Sequence, residues 1–231
     1  MNTNNDDGSS GVPAQGSSSE TPDIWIKICG VTSVGDALMV EEAGANALGL
    51  NFAQQSPRYI EPSQARWIKD ALVGPMELIG VFVDASFEHI VDTAKKVGLD
   101  RVQLHGDESP ELLTQLEAAG VSAYKALRIA TAADVARADS FGGDRILVDA
   151  KVEGAMGGTG ETFDWSLIEA LAQKRSLILA GGLHAKNVAD SIASVRPFGV
   201  DTASGVESAP GVKDYGKVQM FIRKARKAAA S

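Results

Sequence analysis

The chain has 231 residues, 44% of them hydrophobic and 23% charged, with a formal net charge of −8 and a pI near 4.9. That balance excludes a general nucleic-acid binder, whose affinity for a phosphate backbone needs clustered Lys and Arg, yet backbone N–H groups can still hold one small phosphorylated ligand. A single cysteine forms no internal disulfide, no apolar run nears the ~18 residues of a membrane span, and no secretory leader is evident, so the expected setting is cytoplasmic.

Residues 1–22 run through Gly8-Ser9-Ser10-Gly11 and Ser17-Ser18-Ser19 with hardly an apolar side chain to bury. They are expected to be a disordered acidic extension, since nothing offsets their ordering entropy; the domain proper is read as residues 23–231. From there apolar strands alternate with helical patterns. Ile24–Ile28 pairs with Ser33–Gly44, Ala47–Phe52 with Pro62–Leu72, Leu78–Val83 with Phe87–Val97, and Arg101–His105 with Pro110–Ala119. Val121–Arg128 then pairs with Ala132–Ala138, Arg145–Asp149 with Trp165–Ala172, Ser176–Ala180 with Asn187–Ser194, and Phe198–Thr202 with Val212–Lys227. Ser33, Ser63, Ser109 and Thr131 stand where N-caps belong, and Gly44, Gly98 and Gly120 where helices end. Strands that read as continuous apolar runs predict a parallel sheet covered on both faces. Eight strand–helix units predict its closure into a single-domain (β/α)8 TIM barrel, with an open doubly wound sheet as the alternative.

In a barrel of this kind the chemistry collects at the C-terminal ends of the strands. Those positions hold Cys29, Asn51, Asp84, His105, Arg128, Asp149, Gly181-Gly182 and Asp201. Cys29 suits a general base if nearby donors or positive charge lower its thiol pKa; Lys27 should share its side of the strand, one layer deeper. Asp149 ends an apolar strand, where partial burial would keep a carboxyl protonated enough to act as a general acid. Asp84 and Asp201 occupy comparable places, so the residues alone do not choose among the three. Gly157-Gly158-Thr159-Gly160, Gly181-Gly182 and Ser204-Gly205 follow strands six, seven and eight and expose backbone amides to a phosphate. Gly157–Gly160 is neither a Walker loop nor a dinucleotide fingerprint. Arg58, after strand two, can grip a carboxylate bidentately. His89, His105 and His184 are too scattered for a metal cage, and no metal is read.

Taken in order, Lys27-Ile28-Cys29-Gly30, Gly49-Leu50-Asn51-Phe52, Ser56-Pro57-Arg58-Tyr59, Gly80-Val81-Phe82-Val83 and Gln103-Leu104-His105-Gly106 form a distinctive set. With Asp149, Gly157–Gly160, Phe163-Asp164-Trp165, Leu179–Leu183, Ser204–Glu207 and Gly211–Asp214, the set resembles the phosphoribosylanthranilate isomerase family of tryptophan biosynthesis over about residues 24–227. The resemblance implies an Amadori rearrangement without cofactor. In it Asp149 is the general acid, Cys29 the general base and Arg58 the carboxylate grip, with the phosphate against Gly158, Gly182, Ser204 and Gly205. It implies a small phosphorylated substrate and a monomer or homodimer. Asn46 departs from the family's usual acidic residue, on the strand's entry side. The alternatives are an isomerase of a related aminoaldose in histidine synthesis, a non-catalytic sugar-phosphate binder, and an aldolase forming a Schiff base on Lys27 or Lys125.

Overall fold

The first β-branched and aromatic run suits a pleat covered on both sides, and Trp25–Cys29 forms β1 of the computed structural model. The structure describes residues 24–129, 131–149 and 165–231; residues 1–22, Gly157–Gly160 and Phe163-Asp164 lie outside the described residues. After β1 come α1 (Val34–Glu42), β2 (Ala47–Asn51), α2 (Pro62–Ala71), β3 (Glu77–Phe82), α3 (Phe87–Val97), β4 (Arg101–Leu104) and α4 (Pro110–Ala118). Then follow β5 (Ala123–Arg128), α5 (Ala132–Asp139), β6 (Arg145–Asp149), α6 (Trp165–Lys174), β7 (Ser176–Ala180), α7 (Val188–Val195) and β8 (Gly199–Thr202). A 3-10 turn (Ser204–Val206), a hairpin of β9 (Glu207–Ala209) and β10 (Val212–Lys213), and α8 (Tyr215–Ala229) complete the described chain.

β1 to β8 pair in sequence order, all parallel, and β8 returns to β1 in register from Trp25↔Gly199 to Ile28↔Thr202. The sheet is therefore a closed (β/α)8 barrel, not the open alternative. Its apolar residues fall into two compartments because side chains alternate along each strand. Ile26, Ile28, Leu48 and Leu50 face the helices, while Trp25, Ala47, Ile79, Tyr124, Ala126, Leu147, Ile178 and Ala180 pack inside the barrel. The same alternation sends Lys27 and Cys29 inward with Trp25. At the N-terminal end Glu77 accepts from Arg101 Nε at 3.1 Å and from Arg145 Nη1 at 2.9 Å, and Arg101 Nη1 bonds Asp144 at 2.9 Å. The Arg145 guanidinium also lies 5.1 Å from the Trp25 ring centre, closing that end.

Local signals set most helix ends. Ser33 and Thr131 cap α1 and α5, accepting from Asp36 and Asp134 amides, and Gly44, Gly98 and Gly120 are left-handed. Two caps differ from expectation: Ser63 lies inside α2, whose start is Glu61 with the Gln64 side chain accepting its N–H at 3.1 Å, and Ser109 makes no side-chain cap bond. The expected helix from Val212 starts instead at Tyr215, capped by Asp214. Glu207–Lys213 forms the β9–β10 hairpin, turned at Pro210-Gly211 with Gly211 at φ 80°.

Candidate active site

Three inward side chains of β1 form a column, and the middle one is a charge. Lys27 is fully buried and its Nζ sits 3.0 Å from Asp201 Oδ1, across the β1–β8 seam where Lys27 and Asp201 share register. A buried ammonium needs such a partner. Burial works against the charged lysine, but the Asp201 carboxylate beside it prevails and the Lys27 pKa is raised. Asp201 is thus a buried counter-ion within β8, below the mouth.

Cys29 caps the column, half-buried, with its Sγ pressed against the bare backbone of Gly49 on β2, 2.6 Å from where a Cβ there would stand. Lys27 below and Lys213 beside it supply the positive charge expected of an activated thiol. Burial and the Asp201 carboxylate outweigh them, so the thiol pKa is raised, not lowered. The resting group is mostly protonated, and the rare thiolate is the stronger base for it.

The Arg58 side chain crosses Gly30, the residue after Cys29. Gly30 holds φ 71°, and the Arg58 stem crosses it so closely that a Cβ would lie 2.3 Å from Arg58 Cδ. Nε and Nη2 of Arg58 bond both oxygens of Glu207 at 2.8 and 2.7 Å, which leaves Nη1 outside that pair. Lys213 Nζ joins from the other side, bonding Glu207 Oε1 at 2.9 Å and the carbonyls of Cys29 at 2.6 Å and Ala203 at 3.2 Å. Burial opposes ionisation of Glu207, but the two cationic donors win and its carboxyl is held below the usual range. The hairpin thereby clamps the loops after β1, β2 and β8 together. Glu207 and Lys213 were not read as functional; their only local signal is an acid and a base flanking Pro210-Gly211.

The two described loops expected to hold a phosphate also meet. Gly181 and Gly182 follow β7 with φ 99° and 68°, and Asn187 fixes this turn by bonding the Gly182 carbonyl at 3.1 Å and the His184 amide at 2.8 Å. A Cβ on Gly205 would stand 1.9 Å from the Leu183 carbonyl oxygen, and Thr202 Oγ1 donates to that same oxygen at 2.6 Å. Ser204 and Gly205 open a 3-10 turn, whose first amides have no partner inside the turn. Gly182, Ser204 and Gly205 are therefore adjacent, while Gly158 lies outside the described residues.

Geometry also separates the three candidate aspartates. Asp84 is exposed with φ 49° and accepts from the Asp107 amide at 2.7 Å, bracing two loops. Asp201 is tied to Lys27. Asp149 ends β6 at the mouth, its Oδ2 4.0 Å from His105 Nε2. Burial lowers the His105 pKa, with Asp149 pulling the other way, which favours the neutral imidazole. Lys125 is no Schiff-base amine at this mouth: its buried Nζ bonds the carbonyls of Leu104, Gly106 and Ala126 at 3.1, 2.7 and 2.8 Å and pairs with Glu108 at 3.0 Å.

Known proteins share this arrangement along nearly all of the barrel. The family model of N-(5′-phosphoribosyl)anthranilate (PRA) isomerase matches residues 26–224. The N-(5′-phosphoribosyl)anthranilate isomerase of Magnetococcus marinus is 46% identical over 206 residues, covering 89% of this chain and 96% of its own length. That of Thermotoga neapolitana is 45% identical over 204 residues, covering 88% and 98%. The crystal structure of phosphoribosyl anthranilate isomerase from Thermotoga maritima is 43% identical and superposes with a TM-score of 0.79 over 88% of this chain and 99% of that one. A further isomerase structure, 41% identical with a TM-score of 0.78 over the same shares, holds reduced 1-(o-carboxyphenylamino)-1-deoxyribulose 5-phosphate. A barrel matched from its first strand into its last helix, at such identity, places the chain in the N-(5′-phosphoribosyl)anthranilate isomerase family of tryptophan biosynthesis.

Proposed function

We propose that Asp149 and Cys29 are the acid and base of an Amadori rearrangement that turns N-(5-phosphoribosyl)anthranilate into 1-(2-carboxyphenylamino)-1-deoxyribulose 5-phosphate. The observation that carries this is the order of groups round the mouth. From β6 to β2 it runs carboxyl (Asp149), phosphate loops (Gly182, then Ser204-Gly205), thiol (Cys29) and guanidinium (Arg58). A sugar phosphate anchored by the backbone amides between acid and base presents its ring to both. Gly158 joins that anchor as part of the proposal.

Asp149 gives its proton to the furanose ring oxygen as the C1–O bond breaks, which leaves a Schiff-base cation. The Cys29 thiolate then takes the proton from C2, and the electron pair runs through C1 to the anthranilate nitrogen. The enolamine so formed moves a proton from the C2 hydroxyl to C1, becoming the ketone; C1 is reduced and C2 oxidised with no outside reagent. The cation formed beside Cys29 lowers the cost of ionising a thiol that burial had raised. Arg58, held by Glu207, offers Nη1 to the anthranilate carboxylate. The substrate is a small phosphorylated molecule and the chain works as a monomer or homodimer. Among the described residues no helix is long and apolar enough to cross a membrane; the proposed setting is cytoplasmic, where a free thiol stays reduced.

Freshly made phosphoribosylanthranilate is mixed with the purified full chain, and loss of its fluorescence is followed, corrected for spontaneous breakdown to anthranilate. Protein-dependent loss with the ketose product formed is the expected result. No acceleration by folded protein, combined with turnover of the histidine-pathway aminoaldose, would overturn the substrate assignment.

A further inference from the structure

We infer that Tyr124 and Gln103 are positioning residues that fix the tautomer of His105 and so aim an N–H at Asp149. Gln103 and Tyr124 are register partners on β4 and β5, and both are buried inside the barrel. The Tyr124 hydroxyl lies 2.9 Å from Gln103 Oε1. A carbonyl oxygen only accepts, so in this arrangement the hydroxyl donates and the Gln103 amide turns its nitrogen toward His105. Gln103 Nε2 then meets His105 Nδ1 at 2.8 Å. An amide nitrogen only donates, so Nδ1 must be bare, and the neutral imidazole carries its proton on Nε2. Nε2 is the atom 4.0 Å from Asp149 Oδ2.

A phenylalanine would fill the same space but take the donor away from the buried Gln103 carbonyl, so the hydroxyl is there for Gln103 and not for packing alone. The hydroxyl makes sense as the start of a chain of one-way donors that ends at the mouth. In the opposite amide orientation every donor reverses, and His105 would turn a lone pair toward Asp149. An N–H there favours the carboxylate that remains once Asp149 has delivered its proton, and a lone pair repels it. The separation of 4.0 Å suits a contact that tightens only when substrate is bound. The inference rests on the reading of Asp149 as general acid, but the tautomer does not depend on that reading.

The test uses the full chain labelled with 15N-histidine, observed without substrate by long-range 1H–15N correlation, with His105 assigned by its disappearance in His105→Gln. The expected wild-type signature is a bare Nδ1 and a protonated Nε2. Gln103→Glu replaces the donor by an acceptor, so Nδ1 becomes protonated and kcat falls about 10²-fold, with KM changed less than about threefold. Tyr124→Phe keeps the packing and lets the amide turn, giving both tautomers and a kcat lower by about tenfold. Circular dichroism checks that each variant folds, and the wild-type spectrum stands even if a variant does not. A protonated Nδ1 in the wild type would overturn the inference. So would a Gln103→Glu enzyme with the altered tautomer and full kcat, or a Tyr124→Phe enzyme with a single unchanged tautomer. Full activity of Asp149→Asn would instead sink the acid assignment and leave the tautomer measurement intact.

Discussion

The two ends of one barrel interior are built from the same strands and do opposite things. Two residues separate each step along an inward column: Trp25, Lys27, Cys29 on β1; Arg101, Gln103, His105 from β4; Arg145, Leu147, Asp149 on β6. At the N-terminal end Arg101 and Arg145 share Glu77 within 3.1 Å and Arg145 stacks over Trp25, so each charge has its partner. At the C-terminal end His105 Nε2 lies 4.0 Å from Asp149 Oδ2, and Cys29 carries a thiol whose pKa burial raises. Satisfied pairs resist change and hold the barrel shut. The thiol and carboxyl at the mouth are the groups we propose to meet the substrate. On the proposed roles, reactivity is a matter of depth along a strand, set by what the strand's own alternation delivers to the mouth.

The largest effect is expected of Asp149→Asn, which keeps shape and removes the proton. A general acid contributes about 10²–10⁴-fold, so kcat should fall by that amount while the urea midpoint stays within error. A fall in affinity with kcat intact would make Asp149 a binding group. Next in size comes Cys29→Ser, for which kcat should drop by a similar order, about 10²-fold, because an alcohol is the weaker base. The wild-type pH profile sharpens this. The base must lose its proton, burial and Asp201 raise that pKa, and Lys27 and Lys213 only partly oppose them. Hence kcat/KM of the free enzyme should still be climbing at pH 8.5, the ordinary thiol value of about 8.5 notwithstanding. A plateau reached by pH 7 would mean that the working base is another group.

A smaller effect is expected where the mouth is braced rather than reactive. Glu207→Gln keeps one acceptor for Arg58 but loses the charge that holds its fork and that anchors Lys213. KM should rise about tenfold with kcat nearly unchanged, the pattern of a lost binding contact. A change in kcat alone would place Glu207 in the chemistry and not in the clamp.

How far the sequence reveals this depends on how local each feature is. The eight strand–helix pairs were legible because periodicity and caps act within a few residues, and strand ends offered Cys29, Gly182 and three aspartates for the same reason, Asp149 being chosen among the three only by the family resemblance. The clamp was not: Arg58 and Glu207 are 149 positions apart, as Lys27 and Asp201 are 174 apart, and nothing in either neighbourhood announces the partner. The hairpin's second strand, Val212-Lys213, was read as the start of a helix because the hairpin strands are three and two residues long, too short to show alternation, although Pro210-Gly211 marked the turn. The direction of the thiol's shift was left open for a different reason. Sequence spacing places Lys27 under Cys29 but does not weigh its charge against burial and against Asp201, and those two prevail.

The smallest effect on turnover should come from the far end. In Glu77→Gln the carboxylate shared by Arg101 and Arg145 becomes a neutral amide, so two guanidiniums that lay within 3.1 Å of one anion now repel each other. These side chains are about one-fifth exposed at most, so water relieves part of the loss, and a cost of about 1–3 kcal/mol is expected, below that of a fully buried pair. It should appear as a lower urea midpoint with an unchanged slope. Asp149 and Cys29 sit four residues further along their strands than Arg145 and Trp25, beyond the Leu147 and Lys27 layer, and a packed layer between them isolates the mouth from a charge lost below. Turnover at 25 °C should therefore stay within about twofold. If it fell tenfold in protein that remains folded, the two ends would be coupled through the barrel's interior, and the division between a holding end and a reacting end would fail.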